Sequence, residues 1–132
     1  MALDHADEGA TRWLVALPDS QTERLQCFRN ALSNWNYEGY VRLRPLAQDW
    51  LRSNLADFSM REIVRELFEF VERGGLIDEH VERRPEFVSF DFHYDLRMTI
   101  GGRVIYFETI LICNDPNNPD DPFIEVVNIH DV

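Results

Sequence analysis

The sequence has few of the features that mark exported, membrane-spanning or metal-binding proteins. Its longest apolar runs, such as residues 13–17, are too short to cross a bilayer, and its first residues lack the basic start and apolar stretch of a secretory signal. Cys27 and Cys113 are the only cysteines, and they form no CxxC pair. We therefore expect a cytoplasmic protein with two buried thiols, no disulfide and no cysteine-bound zinc.

Basic residues are also scarce. The chain has 13 of them against 24 acidic residues, which gives a formal net charge of -11. Such a field repels phosphate backbones and anionic membrane surfaces, so nucleic-acid binding is disfavoured. The same field speeds the encounter with a basic protein partner, although an acidic surface can also serve solubility alone.

The 132 residues, 45% of them hydrophobic, suffice for one sizeable core. Residues 1–11 are polar and acidic and are predicted to form a flexible tail, which leaves residues 12–132 as a single α+β domain. The apolar segment 13–17 before Pro18 fits either an edge strand or a helical turn.

Three helices are predicted from caps and apolar spacing. Ser20 with Glu23 forms a capping-box pattern ahead of a helix over residues 21–33. Pro45 can begin a second, shorter helix through residues 46–55. Ser59 with Glu62 repeats the capping box before the third helix, which residues 74–75, a glycine pair, should terminate.

From Phe87 the apolar period changes from 3.6 to 2, after a polar connector over residues 78–85. Residues 88–100 are predicted to form one strand and residues 103–113 a central return strand, joined by a tight turn at Gly101 and Gly102. The turn-rich residues 114–122 precede a closing strand over residues 123–130. The expected fold is α+β, with two to three N-terminal helices packed on one face of a three- to four-stranded antiparallel sheet formed mainly by the C-terminal third.

A two-residue turn places Ile100 opposite Arg103 and fixes every later pair of the hairpin. One face then carries the candidate site, because it brings together an acid, a base and a cation. Its candidate catalytic residues are His93, Asp95, Arg97, Tyr106 and Glu108.

Asp95 is predicted to lie directly opposite Glu108. Like charges in a cross-strand pair are unfavourable, so one carboxylate has a raised pKa, or both are met by Arg97, Arg103 or a metal ion. An ordinary solvated face with an Arg97 ion pair is the alternative. No cofactor is predicted, and His93, Glu108 and His130 are only weak candidates for a metal set.

The order of elements from about residue 41 onward resembles the RelE-like toxin-type ribonuclease superfamily. The resemblance is carried by Glu72-Arg73-Gly74-Gly75, a polar connector, His93-Tyr94-Asp95-Leu96-Arg97, the segment 101–106 and the segment 126–130. It implies RNA cleavage in which His93 or Glu108 is the general base, Tyr106 positions or donates a proton, and Arg97 and Arg103 stabilise the developing charge. The acidic charge departs from that family, whose members are typically basic.

Two functions are therefore predicted. The first is a non-catalytic acidic binding or accessory module, immunity- or antitoxin-like, that meets a basic protein partner. The alternative is a divergent or degenerate RelE-like endoribonuclease acting through the polar face of the hairpin.

Overall fold

The computed structural model describes residues 17–87, 90–113, 115 and 118–132. The predicted acidic tail over residues 1–11 and nearly all of the ambiguous segment 13–17 lie outside these residues.

The three predicted helices are confirmed as α1 (Gln21–Ser33), α2 (Pro45–Asn54) and α3 (Met60–Glu72). The Ser59 side chain accepts from the Glu62 backbone N–H, and the Glu62 carboxylate accepts from the Ser59 N–H, which completes a capping box. Gly74 stops α3 at a φ of +87°, a backbone conformation that suits glycine. Within the described residues, no helix has the length and apolar character needed to span a membrane.

The sheet has five strands in the order β1-β5-β4-β3-β2 and is mixed, not purely antiparallel. Its strands are β1 (Val41–Leu43), β2 (Asp78–Val81), β3 (Phe92–Ile100), β4 (Arg103–Ile112) and β5 (Phe123–Asp131). β4 is central, as predicted. β1 runs parallel to β5 at one edge, and all other pairs are antiparallel.

The prediction of three to four antiparallel strands missed both edges of the sheet. β1 has three residues and β2 has four, too few for an alternating pattern to stand out in the sequence. β2 occupies the start of the stretch predicted to be a polar connector. The residues that follow include a short 3₁₀ helix (Pro85–Phe87), and β3 begins at Phe92. Residues 88 and 89 of the predicted strand lie outside the described residues.

The predicted hairpin register is confirmed over seven pairs, from Ile100 opposite Arg103 to Tyr94 opposite Thr109. Gly101 and Gly102 take φ values of +60° and +79°, as a two-residue turn of type I′ requires. The turn therefore places Asp95 opposite Glu108 and Arg97 opposite Tyr106.

The three helices cover one face of the sheet, here called the helix face. The helices contribute buried side chains such as Phe28, Leu51 and Leu67, and the strands contribute Leu96 and Phe107, all at most 1% exposed. Cys27 and Cys113 are buried free thiols, as predicted.

The opposite face, here called the second face, is covered only in part. Phe87 and Phe90, from the segment between β2 and β3, pack with Phe123 over Ile110, Ile112 and Val127. That small cluster covers one end of the second face. The polar residues of the hairpin lie beyond it.

A buried ion pair fastens α1 to the edge strand β2. Arg24 donates to both Glu79 carboxylate oxygens at 2.8 and 3.0 Å, and the Tyr94 hydroxyl donates to Glu79 at 2.8 Å. Burial alone would raise the pKa of Glu79, but the hydrogen bonds from Arg24 and Tyr94 outweigh it and hold that pKa below its usual value. No sequence pattern had indicated this pair.

We expect Gly102→Ala to lower the free energy of unfolding by about 1 kcal/mol, because a Cβ disfavours positive φ. Space is not limiting, since a Cβ at Gly102 would meet nothing within 4 Å. Urea denaturation measures the loss. Gly102→Asn is the control and should lose less, because asparagine tolerates this conformation; an equal loss in both variants would contradict a backbone origin.

Candidate functional site on the second face of the sheet

The strand register gathers a set of polar side chains on the second face, here called the polar cluster. All five predicted candidate catalytic residues lie in it, and β2 and β5 add residues from each side. The members are Asp78, His80, His93, Asp95, Arg97, Tyr106, Glu108, Asn128 and His130.

Asp95 lies at the centre of the polar cluster and is only 3% exposed. His93 Nδ1 is 3.1 Å from one carboxylate oxygen, and His80 Nε2 is 3.4 Å from the other. Burial and the nearby Asp95 carboxylate raise the pKa of the Tyr106 hydroxyl. Two imidazole rings thus border Asp95, and His80 Nε2 lies closer to Asp78, at 3.0 Å.

Glu108 is 6% exposed and is compensated from outside the hairpin. Arg84, in the segment after β2, donates to Glu108 and also to both oxygens of Glu82, the latter at 2.8 and 2.9 Å. The Arg84 hydrogen bonds lower the pKa of Glu82 to about 2, and the two carboxylates raise the pKa of Arg84. One guanidinium thus serves two nearly buried acids.

Stacked rings complete the polar cluster. The His80 and His93 rings stack with centroids 5.1 Å apart, and the Tyr106 and His130 rings stack at 4.6 Å. The Arg97 guanidinium lies 5.3 Å from the Tyr106 ring centroid and 3.5 Å from a carboxylate oxygen of Asp78.

The identity of the compensating groups corrects the sequence prediction. Arg97 binds Asp78, so it meets neither Asp95 nor Glu108 in an ion pair. Arg103 bonds to Asp131 and to the Asn54 carbonyl of α2, which places it on the helix face. Arg84 takes the predicted role instead. Its segment turns back over the second face, where Phe87 and Phe90 pack on the sheet. No periodic pattern in the sequence indicates this tertiary contact.

The candidate metal ligands His93, Glu108 and His130 do not lie close together. In the strand register, His130 lies opposite Tyr106, which lies opposite Arg97. His93 lies four residues from Arg97 along β3, so their Cα atoms are about 13 Å apart at the usual strand rise. In the part of the chain that the structure describes, no group of three or more histidine, cysteine or acidic side chains is placed to hold a metal ion.

Two chemical properties follow from this geometry. His93 is oriented by Asp95 through Nδ1, which leaves its Nε2 as the nitrogen that could act as a base. Both arginines of the site, Arg84 and Arg97, already bind carboxylates of the same chain. An incoming phosphate would have to displace one of those carboxylates.

Comparisons with known proteins gave no match to the chain among family models, curated proteins or solved structures. The RelE-like resemblance thus stays a prediction from the sequence.

We expect the effect of Glu82→Gln on stability to depend on pH. The folded-state pKa of Glu82 lies below its usual value of 4.5, at about 2, so its ion pair stabilises the fold above pH 4.5 and is lost as the pH falls towards 2. The variant should lose up to about 3 kcal/mol at neutral pH, and the loss should shrink across that window.

Denaturation of both proteins between neutral pH and pH 2 measures this difference. Glu86→Gln is the matched control, because Glu86 is exposed and has no ion pair in the described residues. A Glu82→Gln difference that stays constant with pH would contradict the assigned ion pair.

Proposed function

We propose that the protein is a non-catalytic binding module, immunity- or antitoxin-like, whose acidic surface meets a basic protein partner. The net charge of -11 carries this proposal. The polar cluster supports it, because Arg97 within the cluster and Arg84 beside it are both bound to carboxylates and add no free positive charge for a nucleic acid.

Several exposed acids are available to such a partner. Glu38, Asp57, Glu72 and Asp120 are exposed and form no ion pair within the described residues. Glu38 and Asp120 line one surface depression of about 320 Å³, together with Arg42 and Phe123. A field of one sign spread over the surface raises the rate of encounter with an oppositely charged protein and makes that rate sensitive to salt.

We expect affinity capture from a lysate of the source organism to recover a basic protein whose retention falls as salt rises from about 10 mM to about 1 M, where screening becomes strong. The triple reversal Glu38→Lys, Asp57→Lys, Glu72→Lys should reduce retention at low salt. Quantitative mass spectrometry measures the amount of partner retained.

The matched control conserves charge: Glu38→Asp, Asp57→Glu and Glu72→Asp should retain the partner as the unaltered protein does. If retention is indifferent both to ionic strength and to the three reversals, the electrostatic basis of the proposal is wrong.

A divergent RelE-like endoribonuclease is the second candidate, and one observation favours it: His93 Nδ1 lies 3.1 Å from an Asp95 carboxylate oxygen, which orients the imidazole. In this version His93 is the general base, because Glu108 is bound by Arg84. Tyr106 would position or protonate the substrate and Arg97 would stabilise charge. Arg103 has no role in this mechanism, because it lies on the helix face.

Under the binding proposal, we expect labelled RNA to stay intact during incubation with the purified protein, because the acidic field repels it. Gel electrophoresis measures cleavage. His93→Ala tests the named base and Glu108→Ala the other acid of the site, and Glu86→Ala, at an exposed position outside the polar cluster, serves as the control. Cleavage that His93→Ala abolishes and Glu86→Ala spares would overturn the binding proposal in favour of the nuclease.

A further inference from the structure

The only two cysteines of the chain lie next to each other in the core, although they are far apart in sequence. Cys27 is at the middle of α1 and is 8% exposed, whereas Cys113 directly follows β4 and is 0% exposed. Both thiols are free, and they are close enough to interact with each other. The core therefore contains one pair of neighbouring thiols.

The residues after β4 place both thiols at the same point of the fold. Cys113 lies beside the Asp115 backbone and the carboxylate of Asp121. Cys27 lines a surface depression of about 220 Å³, and Asn118 from that same stretch forms part of its wall. A small solute can therefore approach Cys27 from the depression, whereas Cys113 has no exposed surface.

The position of the pair favours a bond within one chain. A disulfide requires two cysteine backbones that are close together, with Cα atoms within about 7 Å. The cysteine side chain is short, so two thiols become neighbours only where their backbones are already near. Here α1 packs on the helix face and Cys113 lies at the end of β4 on that face, two residues beyond buried Leu111.

We propose that Cys27 and Cys113 form a redox-sensitive pair, which a peroxide converts into a disulfide that joins α1 to the end of β4. Cys27, deprotonated to its thiolate, attacks one oxygen of hydrogen peroxide; the O–O bond breaks, Cys27 becomes a sulfenic acid, and the leaving hydroxide takes up the proton as water. The Cys113 sulfur then attacks the Cys27 sulfur, and the S–S bond forms as a second water leaves. Together the two thiols lose two electrons and two protons, and one hydrogen peroxide becomes two waters.

The surroundings of the pair make this oxidation slow at neutral pH. Burial raises the pKa of both thiols, that of Cys113 to about 12, and the carboxylates of Glu23 and Asp121 act in the same direction. Only the thiolate attacks a peroxide, so the rate should rise about tenfold for each pH unit below the pKa of Cys27. The pair thus responds to sustained oxidation and not to a brief exposure.

The disulfide should make the fold more resistant to unfolding. It closes a loop that contains α2, α3 and four of the five strands, and a loop of that length restricts the unfolded chain strongly. We expect the urea midpoint of the oxidised protein to rise by about 1 M or more and to return to its first value after reduction with dithiothreitol.

Peptide mapping tests the proposal on the full-length protein. Reduced protein is incubated with hydrogen peroxide at about pH 7 and about pH 9, denatured in the presence of iodoacetamide, and digested with trypsin without reduction. Trypsin cuts after Arg24, Arg29 and Arg103, so the expected product is residues 25–29 joined to residues 104–132. The joined peptide should form faster at the higher pH, from chains that remain monomeric on a non-reducing gel.

Single variants separate the two roles. Cys113→Ser should leave Cys27 as a sulfenic acid that dimedone traps, whereas Cys27→Ser should leave Cys113 reduced, because Cys113 has no exposed surface. Equal reactivity of the two variants would overturn the assigned order of attack.

The unaltered protein can contradict the proposal without any variant. The pair is not redox-sensitive if both thiols are still alkylated after sustained exposure to peroxide at the higher pH. Separate oxidation of each thiol to a sulfinic acid, or a joined peptide found only between different chains, would equally overturn the proposal.

Discussion

Asp95 and Glu108 face each other across β3 and β4, and both are almost removed from solvent. An uncompensated charge in such a position costs several kcal/mol, and two like charges increase that cost. The chain meets this constraint with groups from outside the pair. His80, His93 and Tyr106 meet Asp95, and Arg84 meets Glu108.

Much of the surrounding architecture is linked to that compensation. β2 pairs with β3 and brings His80 to the side of His93, while its opposite face supplies Glu79 to the buried ion pair with Arg24. The segment after β2 turns back across the second face, delivers Arg84, and covers the apolar end with Phe87 and Phe90. β2 and the segment that follows it thus supply both charged groups to the polar cluster and apolar side chains that cover one end of the second face.

The same compensation bears on function. A site that binds phosphate needs cations whose charge is available, whereas Arg84 and Arg97 are neutralised within the chain. This occupancy supports the proposed binding of a protein partner over the cleavage of RNA.

Local signals in the sequence were sufficient for much of this structure. The capping box at Ser59, the apolar spacing of the helices and the double glycine predicted α1, α2, α3 and the hairpin, and hence the Asp95 and Glu108 pair. The short strands β1 and β2 could not be predicted, because each is defined by pairing with a distant partner and not by its own residues. Arg84 and the Arg24–Glu79 pair were missed for the same reason, since their contacts join segments far apart in sequence.

The most direct test of this account is a double-mutant cycle on Arg84 and Glu108, with Arg84→Met, Glu108→Gln and the combined variant compared by urea denaturation at neutral pH. Removal of Arg84 should leave Glu108 buried and uncompensated, so the account predicts a coupling energy of at least about 1 kcal/mol between the two sites. Additivity to within about 0.3 kcal/mol would contradict it, because Glu108 would then not depend on Arg84 for its charge balance.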